Sequence, residues 1–337
     1  MYARLRPWLF RLEAERAHRL TLWLLQAAGS VRPGRNLVRR VFADGLPDRP
    51  VEVFGLRFRN PLGVAAGYDK EGRAVRGLAC LGFGHVEIGT VTALPQLGNP
   101  RPRLFRLVED QALVNRMGFP NPGLTAARGS LFRNQGSGVV VGVNIGKGKE
   151  TPLESAAREY VTLLRELGPR ADFITVNISS PNTLGLRALQ GRAYLEGLLK
   201  VLAQARLEMR RPLPVLVKLA PDLEAGELRE AVDVIEAAGM DGIVAVNTTV
   251  ARPNLRSALA GEAGGLSGRP LLRQALAVVE GVVRRTQGRL PVVAVGGIDG
   301  VDSARAMMDA GAALLQVYTG LVYRGPGLVR EILQGLG

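Results

Sequence analysis

The stretch Asn177-Ile178-Ser179-Ser180-Pro181-Asn182 sets two carboxamides and two hydroxyls directly after the apolar run Phe173-Ile174-Thr175-Val176. A short apolar run of this kind reads as a buried strand. In a parallel α/β barrel the C-terminal rim of such a strand is where chemistry is done. The amides can donate to and accept from a flat polar ligand, and a serine hydroxyl there is a candidate proton acceptor. A Ser/Pro/Asn turn between strand and helix would look the same, so these six residues alone leave both readings open.

The elements that would position them recur along the chain. Eight short apolar runs have strand character: Leu62–Ala65, Val86–Ile88, Val139–Val143, Phe173–Val176, Val215–Leu219, Gly242–Val246, Val292–Val295 and Leu314–Val317. Helical patterns fill most gaps, as at Leu153–Leu167, Tyr194–Glu208, Gly226–Ala238 and Leu271–Thr286. Alternating β and α units predict a parallel sheet. Eight of them predict an α/β fold of the (β/α)8 TIM-barrel type, with a doubly wound open sheet as the alternative. The longest gap holds Arg103–Val108 and Ala112–Met117, an extra hairpin or a lid over the barrel mouth.

Every predicted strand end carries polar residues or glycine. Ala66-Gly67-Tyr68-Asp69-Lys70 follows the first and Gly89-Thr90 the second. Asn144-Ile145-Gly146-Lys147 follows the third, and Asn247-Thr248-Thr249 the sixth. Gly296-Gly297-Ile298-Asp299 and Tyr318-Thr319-Gly320 follow the last two. Lys218 lies inside the fifth run, and a lysine among apolar neighbours is costly unless a negative charge answers it. A phosphate commonly binds after the seventh and eighth strands of a barrel, and Gly264-Gly265-Leu266-Ser267-Gly268 is a second glycine-rich loop nearby. With no Walker or dinucleotide fingerprint after a strand, flavin mononucleotide (FMN) suits these loops better than a nucleoside triphosphate or NAD. A non-flavin phosphate-binding barrel, such as a sugar-phosphate isomerase, would explain the loops but not Lys218 or the asparagines. The histidines, His18 and His85, have no zinc spacing, and His85 precedes a strand as a structural residue. No metal site is expected.

Net charge is +14, from 44 Lys+Arg against 30 Asp+Glu over 337 residues. That favours anionic partners. No basic block exceeds a dipeptide, so no nucleic-acid module is expected. The lone Cys80 excludes an internal disulfide and falls at a helix end against the core. Residues 1–45 differ from the remainder. Leu5, Trp8, Leu9 and Leu12, then Leu20, Trp23, Leu24 and Ala27, recur at helical spacing among Arg4, Arg6, Arg11, Arg16 and Arg19. The pattern predicts two short amphipathic helices suited to an anionic membrane surface; a docked helical hairpin is the plainer alternative. The expected organisation is a helical segment, 1–45, and a barrel, 46–337. A membrane-surface protein built on an inactive barrel is a reading of another class.

The motifs Asn60-Pro61-Leu62-Gly63, Ala65–Lys70, Asn115-Arg116-Met117-Gly118-Phe119, Asn144–Lys147, Asn177–Asn182, Asn247-Thr248-Thr249 and Gly265–Pro270 together resemble the dihydroorotate dehydrogenase family. Ser180 stands where the soluble class carries cysteine, so the chain is similar to the membrane-associated, quinone-linked class. The resemblance implies oxidation of dihydroorotate to orotate in pyrimidine biosynthesis, on the cytoplasmic face of the cell membrane, with a membrane quinone as acceptor. It implies FMN held by Ala66, Gly67, Tyr68, Asp69, Lys70, Thr90, Asn144, Asn177, Lys218, Val246, Gly268, Gly297, Tyr318 and Thr319. It implies substrate held by Lys70, Asn115, Arg116, Met117, Gly118, Phe119, Asn177, Asn182, Asn247 and Thr248, with Ser180 as base. His18 and Arg106 would stand by the quinone. Pro120 and Leu184 depart from the family pattern. Deleting residues 1–40 is expected to spare flavin reduction and impair quinone reduction.

Overall fold

In the computed structural model, which describes residues 2–211 and 213–336, the eight apolar runs form one closed parallel barrel. Its strands are β3 (Leu62–Val64), β4 (His85–Val91), β7 (Val140–Ile145), β8 (Phe173–Asn177), β9 (Val215–Leu219), β10 (Gly242–Ala245), β12 (Val292–Val295) and β13 (Leu314–Val317). Each pairs with the next, and β13 closes on β3 through Gln316 opposite Gly63. The open-sheet alternative is thereby excluded.

Helices cover the barrel because their apolar residues fall on one stripe. In α6 (Leu153–Leu167) the buried residues are Ala156, Tyr160, Leu163, Leu164 and Leu167, which is the helical period. The helices α4 (Val75–Cys80), α5 (Leu124–Asn134), α7 (Arg192–Leu207), α8 (Ala225–Ala237), α9 (Leu272–Thr286), α10 (Val301–Asp309), α11 (Thr319–Arg324) and α12 (Gly327–Gly335) complete the outer layer. Cys80 ends α4 and is buried.

A hairpin of β1 (Val51–Val53) and β2 (Leu56–Phe58) precedes the barrel, and its Phe58 packs with Phe173, Leu216, Val244 and Val293. Here the structure corrects the expectation for His85. It begins β4 rather than preceding it, fully buried against Phe58 at 5.4 Å and Phe173 at 6.4 Å. Burial pushes its imidazole down to about 3, so it is neutral and structural. At the opposite end, β5 (Leu104–Leu107), β6 (Ala112–Asn115) and β11 (Gly265–Gly268) make an antiparallel sheet. The extra hairpin is therefore real, and the loop expected at 264–268 is largely its third strand.

The N-terminal segment holds three helices, not two: α1 (Tyr2–Arg11), α2 (Ala14–Ser30) and α3 (Arg32–Phe42). The Glu13 carboxylate caps α2 by accepting the N–H groups of Glu15 and Arg16 at 2.9 Å. The third helix begins at Arg32-Pro33, where proline fits the first turn. Two glycines let α2 lie on α4: a Cβ on Gly29 would sit 2.6 Å from the Gly77 nitrogen, and one on Gly77 would sit 2.2 Å from the Leu25 oxygen. Gly77→Ala should therefore lever α2 away and destabilise the protein by about 1–3 kcal/mol. A denaturant melt with an unchanged midpoint would disprove this close contact.

Candidate active site

Every strand end except that of β7 contributes residues to one cavity in the barrel mouth. Glu87 is fully buried in the middle of β4. Its carboxylate accepts Asn144 Nδ2 at 2.7 Å and Gln316 Nε2 at 2.6 Å. Asn144 Oδ1 in turn accepts the Thr90 hydroxyl at 2.5 Å and Asn177 Nδ2 at 2.9 Å. Asn177 Oδ1 accepts Asn247 Nδ2 at 3.3 Å and the Ser179 hydroxyl at 3.2 Å. A single chain of hydrogen bonds thus runs from β13 through β4, β7 and β8 to the loop after β10.

Lys218 lies beside Asn177 in register and lines the cavity. Burial pushes its ammonium down, while the Glu87 charge holds it up. Gln316 Oε1 is buried with no hydrogen-bond partner among the described residues, and Gln316 also lines the cavity. An acceptor of this kind, in a cavity that Lys218 and several amides also line, fits a polar planar ring. Gly268 (φ 96°), Gly296 (φ 123°) and Gly297 (φ 79°) line the same cavity. Their backbone conformation suits glycine alone, and together with Thr319 and Gly320 they present main chain to the ligand.

At the rim, Ser180 is buried and accepts the Asn182 N–H at 3.3 Å. Asn182 Nδ2 donates to Asn115 Oδ1 at 3.1 Å. Gly118 (φ 67°) and Phe119 (φ 50°) both take the left-handed conformation, which glycine adopts freely and which in Phe119 is a strain commonly kept at binding sites. Arg187 ties the rim together, donating to Ser179 O and Thr248 O, each at 3.0 Å, and pairing with Asp222 at 2.8 Å.

A second cavity opens between α1, α2, α3 and the barrel. Its lining is mainly apolar, with His18 and Arg106 among it. His18 stands edge-on to Tyr68 at 5.1 Å and stacks over Tyr318 at 6.4 Å. Burial and the nearby Lys70 charge push its imidazole down to about 3. Arg106 lies over the Phe10 ring at 4.7 Å and donates to the carbonyls of Leu9 and Leu12. Leu104, Leu113 and Tyr318 line both cavities and so form the wall between them.

A family profile described as dihydroorotate dehydrogenase matches residues 50–337. The chain belongs to the dihydroorotate dehydrogenase family. It is 49% identical over 336 residues to the dihydroorotate dehydrogenase (quinone) of Roseiflexus sp. strain RS-1, covering 100% of this chain and 93% of that one. It is 45% identical to the enzyme of that name from Idiomarina loihiensis, covering 100% of both chains. The crystal structure of a dihydroorotate dehydrogenase from Eimeria tenella in complex with ferulenol superposes with a TM-score of 0.89 at 34% identity, covering 97% of this chain and 93% of that one.

Most residues that the family resemblance assigns to flavin and substrate do meet at the first cavity: Ala66, Gly67, Lys70, Thr90, Lys218, Val246 and their partners line it. Four do not line it. Asn144 stands behind Thr90 and Asn177. Tyr68 faces the second cavity. The Asp69 carboxylate accepts the N–H groups of Arg73 and Ala74 at 2.9 and 2.7 Å, a structural cap. The Arg116 side chain turns to Glu262 at 2.6 Å and lies over Phe105 at 4.5 Å. Sequence reasoning missed Glu87, Gln316 and Arg187. The first two were visible as polar residues inside otherwise apolar runs.

Burial pushes the Lys70 ammonium down to about 8. A lysine loses its charge as pH rises through its pKa. Orotate, a carboxylate probe of this cavity, should therefore bind with full affinity below that value and progressively more weakly above it. Lys70→Met should bind weakly with the step removed. Titration of orotate binding from two pH units below to two above tests this, and an unchanged step in the variant would exclude Lys70 as its source.

Proposed function

We propose that the protein oxidises dihydroorotate to orotate in pyrimidine biosynthesis, with FMN in the barrel mouth and a membrane quinone as the acceptor. The supporting observation is the pair of cavities. One is ringed by amides, two lysines and glycine backbone, and the other is mainly apolar and shares Leu104, Leu113 and Tyr318 with it. A phosphate-binding isomerase barrel has no use for the second.

Bound flavin would take a hydride from C6 of dihydroorotate and pass the electrons on to quinone. The chain's own residues do the remaining work. Asn115, Asn177, Asn182 and Asn247 can donate and accept at the edges of the pyrimidine ring. Lys70 balances its carboxylate, and Met117, Gly118, Phe119 and Thr248 close over it. The Arg116 side chain is left out of this set, because Glu262 holds it. Gly268, Gly297 and Thr319 suit the phosphate, and Lys218 brings positive charge to a ring that gains electrons.

Ser180 removes the C5 proton. Serine is a weak base unless its own proton can move on. Neither histidine serves, since His85 lies in the barrel floor and His18 in the second cavity. Thr183, buried three residues on, is the relay toward water. His18 and Arg106 orient the quinone head. No helix among the described residues is long and apolar enough to cross a membrane. Trp8 and Trp23 are 65% and 61% exposed, and with the arginines of α1 and α2 they suit peripheral contact with an anionic membrane surface, at the cytoplasmic face.

Ser180→Ala should retain FMN yet lose about 10²–10⁴-fold in flavin reduction by dihydroorotate. Stopped-flow single turnovers measure this, and a wild-type rate would remove Ser180 from the mechanism. Lys218→Ala should lower the potential of the bound flavin. A loss of about 1.4 kcal/mol corresponds to about 30 mV for a two-electron couple. Dye-equilibrated redox titration reads the shift, and no shift would make Lys218 structural.

A further inference from the structure

Glu15 is one of two residues that α2 buries fully, and it is charged. Its carboxylate accepts Arg103 Nε at 3.0 Å and Arg103 Nη2 at 2.9 Å, with Arg101 Nη2 also at 2.9 Å. Burial pushes the Glu15 carboxyl up, but the Arg103 hydrogen bond and charge, with Arg101, outweigh it and hold it below the usual range. Arg103 is itself buried.

The free edge of the Arg103 guanidinium reaches the other way. Nη1 donates to Leu97 O at 2.6 Å and to Asn99 O at 2.9 Å. That segment in turn grips the one after β6. Asn99 Nδ2 donates to Arg116 O at 3.0 Å, and the Asn99 N–H donates to Met117 O at 2.9 Å. Gln96 Nε2 donates to Gly118 O and Phe119 O at 3.0 and 3.1 Å. The fit is close, because a Cβ on Gly118 would sit 2.8 Å from the Asn99 amide.

We infer that Glu15 is a positioning residue for the dihydroorotate site: through Arg103 and Asn99 it fixes the segment 115–119. This rests on the assignment of that segment to the substrate proposed above. Glu15 lies one helical turn from His18 in the second cavity, so the seating of α2 governs both ligands at once. It also revises the expectation for deletion of residues 1–40. Removing Glu15 leaves Arg103 buried without its carboxylate, so substrate binding falls along with quinone reduction.

The test is orotate binding by the full-length, FMN-loaded protein, read from the flavin absorbance change. Glu15→Gln should weaken binding about tenfold or more with flavin content unchanged, and Glu15→Asp should recover most of it. Asn99→Ala should weaken binding too. The double variant should be no weaker than the worse single one, because both act through the same segment. Wild-type affinity in Glu15→Gln, or effects that simply multiply, would overturn the proposal. Should Glu15→Gln fail to fold, Arg103→Lys keeps the charge and loses the fork to Leu97 and Asn99. It should show the same loss, and wild-type affinity there would equally overturn the proposal. Asn115→Ala separates the two assignments. If it binds orotate normally, the substrate segment is misassigned and the proposal falls with it. If it loses binding while Glu15→Gln keeps it, only the coupling fails.

Discussion

A carboxylate sealed inside a barrel has to be answered by donors, and Glu87 is answered from two directions. Asn144 and Gln316 satisfy its oxygens, and the Lys218 charge acts on it from across the interior. Removing one member of such a set leaves a buried polar group without its partner, at about 1–3 kcal/mol and more where that group is charged. This is why the asparagines at the rim are not independent side chains. Asn144 cannot turn without releasing Glu87, and Asn177 cannot turn without releasing Asn144. The barrel is layered accordingly. Phe58, His85 and Phe173 make an aromatic floor, the Glu87 network makes a polar middle, and the ligand cavity stands above it.

The two cavities are kept apart and kept close by one strand pair. Side chains alternate along a strand, and β5 and β6 are in register with Leu104 opposite Asn115 and Arg106 opposite Leu113. Leu104, Arg106, Leu113 and Asn115 therefore share one face. Asn115 lines the first cavity, Arg106 lines the second, and the two leucines serve both. The opposite face is apolar. Leu107, Ala112 and Val114 form a small core with Leu266 of β11. Leu104, Leu113 and Tyr318 line both cavities and so lie between a polar chamber and an apolar one.

The barrel was legible because strands buried on both faces read as continuous apolar runs. Val215–Leu219, Val292–Val295 and Leu314–Val317 match β9, β12 and β13 residue for residue, as Leu153–Leu167 matches α6. Elements that exist only through tertiary register were not legible. Gly265–Gly268 has the composition of a loop and becomes a strand because β6 offers an edge. The third N-terminal helix was hidden by its Arg32-Pro33-Gly34 start, which resembles a break. Strand-end residues could be counted from sequence, but direction could not. Arg116 stands among substrate-facing neighbours and still turns to Glu262, and Arg187 acts only because three loops converge on it.

The way α2 is attached follows from what it must leave empty. A docked helix ordinarily buries an apolar stripe. The residues α2 buries fully are Glu15 and Gly29, and α1 and α3 bury none. Leu24, Leu25, Ala17 and Thr21 line the second cavity, while Leu22 and Leu25 also pack, half-buried, on the core. The helix is held near its ends. The Glu15–Arg103 pair holds one, and the backbone contact of Gly29 with Gly77 holds the other. Between them lie 14 residue steps, about 21 Å of helix at 1.5 Å each, enough to roof a cavity that long without filling it. A buried charge and a close backbone contact near its two ends, with Leu22 and Leu25 packed on the core between them, hold the helix over the apolar chamber.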